Sequence, residues 1–340
     1  MSSGAFWIIV GAFVFAVIAT GIVRRYALRK DWLDLPNLRS SHSSPTPRGG
    51  GVAIVAAFLG AVVAIRYVNR LDAGFLSALF AGGGAIATVG FLDDRYTLPA
   101  GVRFAVHVTA AVFVVSSLGG IPASALASWG LHGFWVGATI AVLALVWATN
   151  LFNFMDGIDG IAGSEASFIA GAGALINWRV GGDGGLTIAM LCLSAASLGF
   201  LCWNWPPARI FMGDVGSGFI GFSLAALGLA TSGNGTVPIE VWAILGGVFL
   251  VDATVTLARR IMRGDRWFAA HRIHAYQHLA RRWKSHLPVT VLVIVIDFLW
   301  LLPWAMAAAK HPTRALAIFA AALIPLIVLA IVGGAGAEET

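Results

Sequence analysis

Apolar runs of seventeen or more residues recur along the whole length of this chain. Runs of that length exceed a strand or an ordinary core helix and match the roughly 20 residues that carry a helix across a hydrocarbon layer about 30 Å thick. Lipid offers no partner to a backbone N–H or C=O, so such runs must close their hydrogen bonds internally as helices. Of the 340 residues, 59% are hydrophobic and only 11% charged, with a mean hydropathy of +0.85. Those proportions exclude a soluble globular domain, a disordered chain, a collagen and a coiled coil. The expected fold is all-α, a polytopic integral membrane protein.

Apolar runs punctuated by Gly, Pro and charge predict eleven spans, near 5–23, 49–66, 74–92, 102–119, 134–151, 161–177, 186–203, 217–231, 239–258, 288–308 and 314–333. The first run follows an uncharged Met1-Ser2-Ser3-Gly4 and precedes Arg24, Arg25, Arg29 and Lys30, so it reads as a retained span and not a signal peptide. Alternation from there gathers seventeen of the twenty-two Lys and Arg on one side of the membrane, among them Arg39, Arg48, Arg103, Arg266 and Arg272. Positive charge stays inside, which places the N-terminus outside and the C-terminus in the cytoplasm. The net charge of +6 therefore reports topology and not a nucleic-acid partner. No repeat or long hydrophilic stretch divides residues 1–340, and one membrane-embedded domain is expected. Cys192 and Cys202 share one apolar run and read as packing residues.

Four polar clusters fall in the inward loops, whereas the outward loops 120–133 and 232–238 carry almost nothing reactive. Asp93-Asp94 ends the third span; paired carboxylates suit proton abstraction or Mg²⁺ binding, although a solvated turn with Arg95 as counter-ion uses the same residues. Asn150, Asn153, Asp156 and Asp159 recur at three-residue steps and would share one helix face, a natural oxygen-donor site for a hard cation. In Asn204 to Gly218, a Trp-Pro-Pro turn precedes Phe211-Met212-Gly213-Asp214-Val215-Gly216-Ser217, which reads as a phosphate or nucleotide loop completed by a carboxylate, or as a glycine-rich packing start. The 258–287 loop holds eight Lys/Arg with His271, His274, His278 and His286. Without a Cys or a matching acid it is no zinc site, and it reads as an anion clamp or as an amphipathic helix on the headgroups. Asp252 and Asp297 lie inside apolar spans, where an isolated charge is costly. A structural partner in the bundle is expected for Asp297, and support of the fourth cluster for Asp252.

In this order the segments resemble the polyprenyl-phosphate N-acetylhexosamine-1-phosphate transferases, the MraY/WecA-like glycosyltransferase family 4. The resemblance spans about residues 34 to 284: Asp34-Leu35-Pro36 through His42, Pro45-Thr46-Pro47-Arg48-Gly49-Gly50, Asp93-Asp94, Asn150-x-x-Asn153-x-x-Asp156-Gly-x-Asp159-Gly, Phe211-Met212-Gly213-Asp214, and the final histidine loop. It implies transfer of an N-acetylhexosamine-1-phosphate from a UDP-sugar to undecaprenyl phosphate, with release of UMP. It further implies Mg²⁺, with Mn²⁺ as a substitute, and a site on the cytoplasmic face of a bacterial inner membrane, formed by loops 24–48, 92–101, 151–161, 203–217 and 258–288. Initiation of a cell-envelope glycan such as O-antigen is the expected role, and a homodimer is left open.

Carried over by motif, Asp214 and Asn153 are expected as metal ligands with the catalytic Asp156 close by. Asp159, Asn204 and Phe211 would hold the uridine, Phe211 by stacking. Asp93 and Asp94 would position or deprotonate the lipid phosphate, and His274, Arg272 and Arg48 would contact the diphosphate. The chain departs from the family at His271-Arg272-Ile273-His274-Ala275-Tyr276-Gln277-His278, where Tyr276 and Gln277 replace two histidines. That departure favours the WecA/WbpL/WbcO-type branch over an MraY-type phospho-MurNAc-pentapeptide transferase. A CDP-alcohol phosphotransferase would need a further Gly and acid pair after Asp159, which is missing. A secondary transporter would need mid-membrane acids and two related halves.

Overall fold

The structure of the protein, a computed structural model, describes residues 3–36, 44–69, 71–265 and 272–337. Arg39, His42, Arg70, Arg266 and His271 lie outside the described residues. All eleven segments expected to span are helical. Among the described residues nine helices are long and apolar enough to cross a membrane: Ser3–Arg29, Gly51–Val68, Ala73–Tyr96, Ala100–Leu118, Phe134–Met155, Gly184–Asn204, Asp214–Gly233, Leu287–Lys310 and Pro312–Val332. The pair Ile239–Leu245 and Gly247–Arg263 is apolar enough only when joined, and it bends by 81° at Gly246. Ile161–Arg179 is not among those nine, and most of its residues are buried by neighbouring helices.

The helix Asp214–Gly233 is the axis of the bundle, 94% buried over its apolar stretch, while Ser3–Arg29 at the periphery is only 17% buried. Lipid tails are as apolar as a Leu side chain, so helices gather around whichever member lets backbones approach most closely. Here that member is rich in small residues. A Cβ on Gly51 would sit 2.3 Å from Gly216 Cα, and one on Gly90 would sit 2.5 Å from the Asp214 carbonyl oxygen. The helices carrying Arg48's loop and Asp94 therefore touch the first turn of the axial helix directly.

Short backbone pairings complete that end of the bundle. Leu33–Asp34 pairs antiparallel with Thr46–Pro47, in register Leu33 with Pro47 and Asp34 with Thr46. Phe211 N–H donates to the Pro47 carbonyl at 2.8 Å, and Gly50 N–H donates to the Phe211 carbonyl at 2.9 Å. Arg48 is thereby pinned beside Gly213 and Asp214.

Beyond its bend, Gly247–Arg263 is amphipathic, with Arg259, Arg260 and Arg263 in its last turns and Met262 77% exposed. Arg259 donates to the Ala335 carbonyl at 2.8 Å and Arg263 to that of Gly336, so the chain after the last span folds back against this helix. Asp297 is wholly buried in a π-helical turn, Asp297–Leu301, and Glu165 is equally buried; among the described residues neither carboxyl has a hydrogen-bond partner. Cys192 is buried and Cys202 exposed, both unbridged.

Candidate active site

The three loops after the 84–96, 134–155 and 184–204 helices meet at one end of the bundle, and the expected residues divide there into braces and exposed groups. Asp94 is a brace. Its side chain is wholly buried; Oδ1 accepts from Asp214 N–H at 2.9 Å and Oδ2 from Val215 N–H at 3.2 Å, so it caps the axial helix where the first N–H groups lack partners. Arg48 Nε lies 2.9 Å from the same Oδ1. Gly213 (φ 78°) makes this approach geometrically accessible, because a Cβ there would sit 2.5 Å from Asp94 Oδ2. The Asp94 carboxylate, expected beside the lipid phosphate, thus also ties Arg48 to the start of the axial helix.

Asp93 and Asp214 share Arg103. Asp93 accepts from Leu98 N–H at 2.6 Å, and its other oxygen pairs with Arg103 at 2.6 Å. Asp214 is held between two arginines, Arg48 Nη2 at 3.0 Å on Oδ1 and Arg103 Nη1 at 3.3 Å on Oδ2. Burial opposes the charge of Arg48, yet Asp94 and Asp214 outweigh it and raise the pKa of the guanidinium. Arg103 joins the site from the start of Ala100–Leu118, and His107 one turn later shares a contact with Asn150 at 3.3 Å. Neither was singled out as a site residue in the sequence. Their four-residue spacing at the start of the span that follows Asp93-Asp94 is the signal that could have found them.

The second cluster does not form a four-residue helical stripe. The helix Phe134–Met155 ends before Asp156, so Asn150 and Asn153 lie on it while Asp156 and Asp159 occupy the following turn. Asn153 Nδ2 donates to Ser217 Oγ at 3.3 Å, and Asn153 lines the same cavity as Asp214. Burial and then the charges of Asp214, Asp94 and Asp159, opposed by Arg48, push the Asp156 carboxyl well above the usual carboxylate range. Asp159 accepts from Ala208 N–H at 3.0 Å and lies 3.2 Å from His286 Nδ1.

Asn204 and His274 are also braces. Asn204, 3% exposed, accepts from Gly160 N–H at 2.9 Å and donates to the Ile210 carbonyl at 2.9 Å, tying the 156–160 turn to the 205–213 loop instead of presenting an amide to a nucleotide. His274, 2% exposed, has Nδ1 3.4 Å from Asp252 Oδ1, inside the arm that it was expected to extend toward a diphosphate. Asp252 also accepts from the N–H groups of Ala275 and Tyr276 at 2.9 and 3.0 Å, which gives this intramembrane acid its partners. Phe211 is half-buried and Arg272 faces a cavity.

Two cavities flank the acids. One, of about 570 Å³, is polar and is lined by Asp159, Pro206, Arg272, Arg281, Lys284 and His286. The other, of about 680 Å³, is largely apolar and runs from Arg103, Asn153 and Asp214 along His107, Phe104 and Trp147. Asn153 and Phe154 line the second, Ile158 and Asp159 the first. Among the described residues no three His, Cys, Asp or Glu side chains form a preformed metal cage. The donor set is nonetheless all oxygen, the kind that suits Mg²⁺ or Mn²⁺. Four carboxyl groups, Asp93, Asp94, Asp156 and Asp214, face two guanidinium groups, a surplus of acid that a hard divalent cation would neutralise.

Residues 75–232 match the model of "Glycosyl transferase family 4". The chain is 30% identical over 295 residues to a probable undecaprenyl-phosphate N-acetylglucosaminyl 1-phosphate transferase of Bacillus subtilis, covering 84% of this chain and 79% of that protein. It is 31% identical over 330 residues to the decaprenyl-phosphate N-acetylglucosaminephosphotransferase of Mycobacterium tuberculosis, covering 88% and 80%. The undecaprenyl-phosphate alpha-N-acetylglucosaminyl 1-phosphate transferase of Escherichia coli is 28% identical over 303 residues, covering 84% and 79%.

Proposed function

The chain belongs to glycosyl transferase family 4, and on that premise we propose that this multi-pass membrane protein transfers N-acetylhexosamine-1-phosphate from a UDP-sugar to a polyprenyl phosphate, undecaprenyl phosphate in the first instance. The observation that carries the reading is a pair of cavities, one with Asp159 among cationic side chains and one, largely apolar, with Asp214 and Arg103 in its lining. Two polyanions, one of them a lipid, need separate approaches to a shared centre that neutralises both. A UDP-sugar suits the side lined by Arg272, Arg281, Lys284 and His286; a prenyl chain suits the side lined by Phe104 and Trp147, with its phosphate at Arg103.

In this reading an oxygen of the lipid phosphate attacks the β-phosphorus of the donor, the bond from that phosphorus to the bridging oxygen breaks, and UMP departs. A phosphate already ionised near neutral pH needs little help from a base, so alignment and charge are what the protein supplies. Arg48 and Arg103 draw the phosphates toward Asp214, and Asp159 with the 205–213 loop orients the nucleotide. Asp214 and Asn153, with Asp156 beside them, would hold Mg²⁺ or Mn²⁺, which lowers the repulsion between two phosphates. The end bearing the site also bears Arg24, Arg25, Arg29 and Arg48, so it faces the cytoplasm of a bacterial inner membrane. The relatives' names make UDP-N-acetylglucosamine the first donor to test, with initiation of a cell-envelope glycan such as O-antigen as the role.

Purified protein incubated with undecaprenyl phosphate, Mg²⁺ and a panel of UDP-N-acetylhexosamines should release UMP. No UMP from any donor, with folding verified, overturns the reading. Direct attack also requires that UMP not exchange into UDP-sugar when lipid is omitted; such exchange would point to a covalent aspartyl intermediate.

A further inference from the structure

We propose that Tyr276, one of the two residues that stand in place of the family's histidines, is a positioning residue: its hydroxyl latches the basic arm onto the end of the 134–155 helix and fixes the turn carrying Asp156 and Asp159. The inference rests on the transfer reading above and deepens it at the same site.

Three contacts build the latch. The carboxylate of Asp252, 5% exposed, accepts from the N–H groups of Ala275 and Tyr276 and so anchors the start of the helix Ala275–Trp283 to Gly247–Arg263. The Tyr276 ring, 3% exposed, stacks on His274 with centroids 5.7 Å apart and an interplanar angle of 27°. Its hydroxyl then donates to the Phe154 carbonyl at 3.0 Å. That carbonyl belongs to the last turn of the helix Phe134–Met155, where carbonyl oxygens have no partner further along the helix.

The neighbouring turn is shaped to receive the hydroxyl. A Cβ on Gly157 would lie 2.1 Å from Tyr276 Oη and 3.0 Å from Gln277 Nε2. Gln277 is engaged in the same arm, accepting from His274 N–H at 3.3 Å. Burial, with the charges of Asp252 and Asp156, keeps the phenol well above its ordinary pKa and therefore a hydrogen-bond donor. A histidine at this position could extend toward a phosphate, whereas this tyrosine points into protein. Orientation of the carboxylate one residue before Gly157 then depends on a contact made from a different helix.

The test is a kinetic and thermal cycle on the full chain in detergent. Tyr276→Phe should lower kcat about tenfold, as loss of a supporting contact around a metal site does, raise the Mg²⁺ concentration for half-maximal rate, and leave the UDP-sugar KM within about twofold. Gly157→Ala should lower both rate and thermal midpoint, and Gly157→Ala combined with Tyr276→Phe should recover part of both, because the colliding oxygen is gone. A Tyr276→Phe protein with wild-type kinetics, or with a raised UDP-sugar KM and intact kcat, overturns the proposal. So does a double variant no more stable than Gly157→Ala alone. That last measurement reads the latch whether or not the wild type releases UMP, so failure of the transfer reading is seen separately.

Discussion

Asp94 and Asp214 are joined by a hydrogen bond in which one acid's carboxylate accepts the other acid's backbone N–H, at 2.9 Å. The buried acid caps the helix that begins with the half-exposed one, and Arg48 touches both carboxylates. Two acids that look equivalent in a motif thus divide into a support and a working group.

For the support, Asp94→Ala should cost about 2–3 kcal/mol, the scale of a buried charge-assisted hydrogen bond. It would also strand Arg48 and loosen Asp214. The check is the thermal midpoint in detergent, which should fall together with activity. An unchanged midpoint with activity lost would assign Asp94 a chemical role instead.

For the working group, Asp214→Ala removes a carboxylate and no packing. UMP release should fall about 10²–10³-fold, comparable to loss of one electrostatic contact to a transition state, while membrane insertion and elution profile stay those of the wild type. Near-normal turnover would remove Asp214 from the site.

Arg103 separates the two substrates. Arg103→Ala should raise the KM for polyprenyl phosphate about tenfold or more, since it takes away the cation at the head of the apolar cavity. The UDP-sugar KM should change far less. An equal rise in both constants would argue that Arg103 merely holds Asp93 and Asp214 in place.

Asn204→Ala tests a brace against a substrate contact. It orphans Gly160 N–H and the Ile210 carbonyl, each buried, at about 1–3 kcal/mol apiece. A drop in thermal midpoint is expected with a modest kinetic effect. A raised UDP-sugar KM at an unmoved midpoint would return Asn204 to the nucleotide.

Family membership, an all-α membrane fold and the location of the long apolar helices were legible in the chain, because length and apolarity alone decide whether a segment can cross lipid. The same reading over-extended helical spacing at 150–159. Three-residue steps imply one face only while the helix lasts, and here the Asp156-Gly157 turn interrupts it. A motif also records which residue types converge and not which of their atoms are already bonded: Asp94, Asn204 and His274, expected as ligand contacts, each hold partners within the protein.

What the sequence by itself determined is the number and placement of apolar segments, the lopsided distribution of Lys and Arg, and the presence of acids at the segment ends. These follow from one-dimensional quantities: length, hydropathy and the cost of placing charge in hydrocarbon. What only the tertiary structure decided is which groups meet: Asp94 with the Asp214 and Val215 N–H groups, Arg103 with Asp93 and Asp214, Asp252 with the N–H groups of Ala275 and Tyr276. The reason is that hydrogen-bond capacity is finite: Asp94 and Asn204 meet N–H groups more than forty residues away, and only the packed helices bring those groups within 3 Å.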